Sequence, residues 1–127
     1  MIRGLDHVQL AAPPGSEAEA RRFFSGLLGL DELPKPAPLA ARGGVWFACG
    51  PQQLHVGVTE DFAPAEKAHP AFAVGDLDVV ADRLVEAGVD VHWDVGLPGA
   101  ARFYASDPWG NRLEFVSAGA PPGTPSR

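Results

Sequence analysis

DPWGNRLEFV, Asp107 to Val116, decides how the chain is read. Its first half is turn chemistry, Asp-Pro and then Gly-Asn. Its second half alternates like a strand, yet Glu114 stands between Leu113 and Phe115. Alternate residues of a strand share a face, so Glu114 points away from both apolar neighbours. A surface strand tolerates a carboxylate there, and a strand lining a site can require one. An earlier stretch, VWFACGPQQLHVGV (Val45 to Val58), has the same outline. Trp46 aligns with Phe103, Pro51 with Pro108 and Cys49 with Ser106. Two extra residues in the second turn bring Leu54 onto Leu113 and His55 onto Glu114.

The match extends toward the N-terminus. RGLDHVQLAAP (Arg3 to Pro13) and KAHPAFAVGD (Lys67 to Asp76) each place a His in a period-2 strand pattern, His7 and His69. A helix is expected after each. Ser16 with Glu19 three residues on reads as a capping box for the first, whose Phe23, Phe24, Leu27 and Leu28 recur at helical spacing. Asp76 reads as the cap of the second, with Leu77, Val80, Ala81, Leu84 and Val85 on one face. Gly29 and Gly88 stand in the post-helix position. Short extended segments follow, GLDELP and GVDVHW, then a loop and the hairpin. The expected fold class is α+β: two βαβββ modules, residues 1–60 and 66–118, within a single domain 1–118, followed by a flexible tail, 119–127.

The composition sets bounds. A chain of 127 residues is one domain by length and buries enough surface to fold without staples. A net charge of −6 argues against a nucleic-acid partner. The lone Cys49 allows no internal disulfide, which fits a reducing compartment. No signal-like leader and no apolar run of about 18 residues is present. The expectation is a cytoplasmic protein with no membrane partner and a small-molecule substrate.

Four polar residues interrupt the strands: His7, His55, His69 and Glu114. Small or polar residues share their faces, Gln9 with His7 and Ala71 and Ala73 with His69. Such a face suggests a concave surface with room in it. Three imidazoles and a carboxylate suit a divalent ion such as zinc, nickel, cobalt, iron or manganese. An ion held by four protein ligands keeps open positions for substrate oxygens and can polarise a carbonyl or stabilise an enolate. Taken singly, a strand His is more often a hydrogen-bonded structural residue, and these four match no local metal motif. Only the repeat brings them onto equivalent faces.

GLDHVQL and FYASDPWGNRLEFV, within a doubled βαβββ pattern, resemble the vicinal oxygen chelate superfamily. That group includes glyoxalase I, methylmalonyl-CoA epimerase, fosfomycin-resistance proteins, extradiol dioxygenases and bleomycin-resistance proteins. The resemblance covers about residues 2 to 117. It implies a cupped mixed sheet with helices on the convex face. It also implies a metal site at His7, His55, His69 and Glu114, and a homodimer with sites shared between subunits; the alternative is a monomer that pairs its own modules. Departures narrow the activity. His55 stands where glyoxalase I members usually carry Glu and the epimerase Gln. The segment DVGLPGAAR lacks the Ser/Glu/Gly-rich potassium loop of fosfomycin thiol transferases. His92, the spare His of module two, lies in the wrong strand for an extradiol dioxygenase.

Further residues join this expectation. Tyr104 resembles a substrate-contacting tyrosine of fosfomycin-resistance members and is read either as a proton carrier or as a core ring with its hydroxyl at the rim. Gln9 is read as binding substrate or metal-bound water, or as orienting a ligand. Arg42, Lys35, Lys67 and Arg102 are candidates to hold a substrate carboxylate, or else are solvated charges. PKPAPLAARGG (Pro34 to Gly44) is a lid or a connector. Trp46, Trp93 and Trp109 read as packing residues. Three functions are weighed. The first is a glyoxalase-like lyase, isomerase or epimerase in which Glu114 is both ligand and base, as the likeness to glyoxalase I suggests. The second is a protein that sequesters a drug or metabolite, bleomycin-resistance fashion. The third is a vestigial regulatory dimer.

Overall fold

β1 (His7–Ala12) runs parallel to β4 (Gln52–Val58), which pairs antiparallel with β3 (Val45–Cys49), which pairs with β2 (Glu32–Leu33). The order β1-β4-β3-β2 recurs as β5-β8-β7-β6, built from β5 (Ala71–Val74), β6 (His92–Asp94), β7 (Arg102–Ser106) and β8 (Arg112–Ser117). The computed structural model describes residues 1–94 and 101–118, and the chain divides into two units, Met1–Pro64 and one that begins at Ala65. Each is a βαβββ module with a four-stranded mixed sheet, so the fold is of the α+β class. The tail 119–127 and most of the DVGLPGAAR segment lie outside the described residues.

In each unit one sheet face is the core. Leu10, Val45, Phe47, Leu54 and Val56 are buried beneath Phe23 and Phe24 of the first helix, with the Phe24 and Phe47 rings 5.7 Å apart. In the second unit Phe103, Leu113 and Phe115 are buried, as are Leu77, Ala81 and Leu84 of α3 (Leu77–Glu86). Asp76 caps α3 as expected, its carboxylate accepting from the Asp78 and Val79 amides. Val85 was expected on the apolar face but is 58% exposed. Gly29 and Gly88 end their helices at φ +80° and +83°, where glycine carries no Cβ penalty.

The first helix departs from expectation. Ser16 makes no side-chain cap, because its backbone is already helical at φ −90° and ψ −1°, whereas a capping residue is extended. The expected capping box with Glu19 is absent for the same reason. Glu17 is the acidic residue put to use, its Oε2 accepting from the Gly44 amide at 2.8 Å. α1 (Glu17–Ala20) then widens into a π-helical stretch, Arg21–Leu27, where the Leu28 amide reaches the Phe23 carbonyl at 3.0 Å. The segment from Pro34 to Gly44 contains one helical turn, α2 (Ala37–Ala40), and Lys35 Nζ donates to the Gly43 carbonyl.

The strand register corrects the alignment of the two hairpins. His55 lies opposite Gln9 and Trp46, and Glu114 lies opposite Ala71 and Tyr104. His55 is therefore equivalent to Glu114, as the sequence suggests. Trp46, however, is equivalent to Tyr104 rather than to Phe103, and Ala48 rather than Cys49 to Ser106. The second turn carries one extra residue, not two, as the register counts it: Trp46 to His55 spans nine steps and Tyr104 to Glu114 spans ten.

The DPWGN turn that opens β8 is held by its own side chains. Asp107 and Asn111 are buried. Asp107 Oδ1 accepts from the Asn111 amide at 2.8 Å and the Trp109 amide at 3.1 Å, and Oδ2 accepts from Asn111 Nδ2 at 2.7 Å. Asn111 Oδ1 accepts from the Ala65 amide, and the Arg112 amide donates back to the Ala65 carbonyl, both at 2.9 Å. Burial raises the Asp107 carboxyl above its ordinary range, and the hydrogen bonds from Asn111, Trp109 and Gly110 oppose this.

Candidate functional site

In the first unit the sheet face opposite the core carries His7, Gln9, Trp46, Gln53 and His55, because their register positions alternate with the buried residues. Three rings stack in a column. His55 lies between Trp46, 4.2 Å away and 5° from parallel, and His7, 4.2 Å away and 16° from parallel. His55 is buried and its Nε2 donates to Gln53 Oε1 at 2.8 Å, which leaves the Nδ1 lone pair of the neutral ring. Burial chiefly, then the neighbouring His7 and Lys35, lowers its proton affinity, with Asp6 acting against them. His7 Nδ1 donates to Asp6 Oδ1 at 2.9 Å, so its Nε2 keeps a lone pair. The face borders a cavity of about 570 Å³ lined by His7, Gln9, Lys35, Arg42, Trp46 and His55 among others. The Arg42 side chain has no hydrogen-bonding or acidic partner among the described residues, its amide donating to the Leu39 carbonyl, while Lys35 is fixed by its bond to Gly43.

In the second unit the equivalent face carries His69, Tyr104, Arg102, Arg112 and Glu114. Glu114 is buried, with Oε1 2.8 Å from His69 Nε2 and Oε2 3.1 Å from Arg102 Nη1. His69 Nδ1 lies 2.8 Å from the Lys67 carbonyl, an oxygen that only accepts, so Nδ1 carries the hydrogen. His69 Nε2 and Glu114 Oε1 are then joined through one shared proton. Tyr104 meets His69 edge-on at 5.7 Å, and the Arg112 guanidinium sits 4.1 Å over the Tyr104 ring.

The candidate ligands therefore come as two pairs, one in each unit. Among the described residues, no group of three or more His, Cys, Asp and Glu side chains is arranged to hold a metal ion. The donor chemistry of each pair fits a divalent ion. His7 is oriented by a carboxylate and His69 by a backbone carbonyl, as ligating histidines generally are. Of the substrate-binding candidates, Gln9 and Arg42 line the cavity, Arg102 is engaged with Glu114, and Lys67 contributes its carbonyl to His69. Sequence reasoning set Gln53 on the His55 face without giving it a role, and passed over Arg112. Their strand parity with His55 and Glu114 was the available signal.

Residues 4–115 match the profile described as the glyoxalase/bleomycin resistance protein/dioxygenase superfamily. The chain belongs to this superfamily. Among solved structures, the superfamily member is similar to a glyoxalase family protein from Bacillus anthracis, with 50% identity and a TM-score of 0.88 over 92% of this chain and 96% of that one. It is also similar to a protein described as oxidase ChaP-H2, at 26% identity and a TM-score of 0.72 over 98% of both chains. A lactoylglutathione lyase from Agrobacterium tumefaciens shares the fold at 24% identity, with a TM-score of 0.69 over 91% of this chain and 93% of that one. No curated protein matches the sequence. No helix among the described residues is long and apolar enough to cross a membrane.

Proposed function

We propose that the protein is a small metal-dependent enzyme of the glyoxalase-like kind, with His7, His55, His69 and Glu114 as its ligands. The observation that carries this reading is the preparation of the donors. The ring hydrogens of His7 and His69 are committed to Asp6 and to the Lys67 carbonyl, and burial lowers the proton affinity of His55. A divalent ion bound by this set supplies a Lewis acid to vicinal substrate oxygens. The chain's own residues do the rest. Gln9 offers an amide at the cavity wall, and Lys35 and Arg42 offer cations to an anionic substrate group. Tyr104, on the same sheet face as Glu114, carries a hydroxyl that would hold or move a proton. Isomerisation, epimerisation or a lyase step on a small oxygenated metabolite fits this inventory, in a cytoplasmic homodimer.

The test is elemental analysis of protein purified without added metal, followed by chelation and by sedimentation for the dimer. Near-stoichiometric zinc, nickel, iron, cobalt or manganese is expected. A second reading rests on the ring column beside the cavity, which suits a flat ligand without any ion. Metal-free protein that binds such a ligand equally well after chelation is a sequestering protein.

A further inference from the structure

The two modules treat their equivalent positions differently, and the difference follows the charge of the central side chain. His55 is flanked by amides, Gln9 across the sheet and Gln53 two residues before it. Glu114 has Ala71 in place of Gln9 and Arg112 in place of Gln53. Since Trp46 is equivalent to Tyr104, the residue equivalent to Arg102 is Gly44. No side chain fits at Gly44: its φ is +88°, and a Cβ there would lie 2.3 Å from the Val56 carbonyl oxygen. Thus the module with the neutral imidazole has a bare backbone where the module with the carboxylate has a guanidinium.

We infer that Arg102 is a positioning residue that holds Glu114 as a one-oxygen metal ligand; this rests on the ligand set proposed above. Glu114 is only 7% exposed, and a buried carboxylate is costly unless paired. Arg102 Nη1 occupies Oε2 at 3.1 Å, while Asp94 Oδ2 lies 4.0 Å from its Nε and faces its other edge. Oε1, which pairs with the other proposed ligand His69, is the oxygen that can reach an ion together with that ring. A carboxylate anchored by its second oxygen does not swing away to act as a mobile base. Glu114 therefore stays a ligand, and the proton-moving role falls to another group on the face. Arg102 is thereby withdrawn from the substrate-binding role that its place at a strand end suggests.

The experiment is cobalt(II) titration of the full chain, following both affinity and the visible d–d spectrum, for wild type, Arg102→Met and Arg102→Lys. Near-ultraviolet circular dichroism checks that each is folded. Loss of such an orienting partner typically weakens metal binding about 10- to 100-fold. Arg102→Met is expected to fall in that range with an altered spectrum as Glu114 is freed, and Arg102→Lys to recover part of the affinity. Wild-type affinity and spectrum in Arg102→Met overturn the inference while leaving the ligand set intact. A wild type that takes up no cobalt overturns the ligand set, and the role of Arg102 with it. Should Arg102→Met not fold, Arg102→Gln is judged by the same two outcomes.

Discussion

His55 stacks between two rings, and that burial sets its proton chemistry. Desolvation first, then His7, lowers its pKa, so the folded protein takes up this proton at lower pH than the unfolded chain does. Between the two values the unfolded state binds more protons, and stability therefore rises with pH in that window. The His55 contribution is complete above roughly pH 6.5, the ordinary imidazole value, and is lost as pH falls through it toward the folded-state value. In chelated protein the thermal midpoint is expected to fall between about pH 7 and about pH 5.5, and less steeply in His55→Gln. An equal slope in both proteins removes the argument. The position of His55 was legible in the sequence, because a polar residue between Leu54 and Val56 in a strand pattern stands out. Its ring partners were not: Trp46 was set against the wrong residue by one step, and only the pairing of β3 with β4 shows that it faces His55.

At the scale of elements, the hairpin turns and the segment before β3 are fixed by contacts far apart in sequence. Asn111 closes the turn that begins at Asp107 and also holds the Ala65 amide, 46 residues earlier. Asn111→Ala removes these side-chain bonds and leaves a buried Asp107 oxygen without its donor. The expected cost is about 3 kcal/mol, from bonds of roughly 1 kcal/mol each plus the unsatisfied acceptor, read as a lower urea midpoint. Gly44→Ala drives a Cβ into the Val56 carbonyl at a positive φ. The chain must shift to relieve it and the Glu17 bond goes with it, at a cost of roughly 2–4 kcal/mol. An unfolding midpoint within error of wild type for either variant contradicts the account. Asp76 as a helix cap was legible because its partners are two and three residues away. The Glu17 to Gly44 bond was not, because its partners are 27 residues apart and are brought together only by the fold. The capping motif misled because Ser16 is itself already helical and so cannot cap.

Across the whole chain, duplication was the most legible feature, because each module repeats the same strand order around the same kind of polar face. What the sequence alone left open was which groups hold its four conspicuous side chains, namely partners such as Asp6, the Lys67 carbonyl and Arg102. The proposed ligand set has a thermodynamic consequence. An ion bound only by the folded state stabilises it by RT ln(1 + [L]/Kd), about 2.7 kcal/mol when free metal is 100-fold above Kd. For a chain of this length that is a rise in melting temperature on the order of 10 °C, reversed by chelator. His69→Ala is expected to abolish the rise. The variant still folds, because Glu114 keeps Arg102 as its charge partner, and the His69 side chain is 23% exposed rather than part of the core. Calorimetry of both proteins with and without metal separates the outcomes. A wild type whose melting is indifferent to every first-row divalent ion, or a His69→Ala variant that keeps the full rise, would show that this pair of donors does not serve an ion.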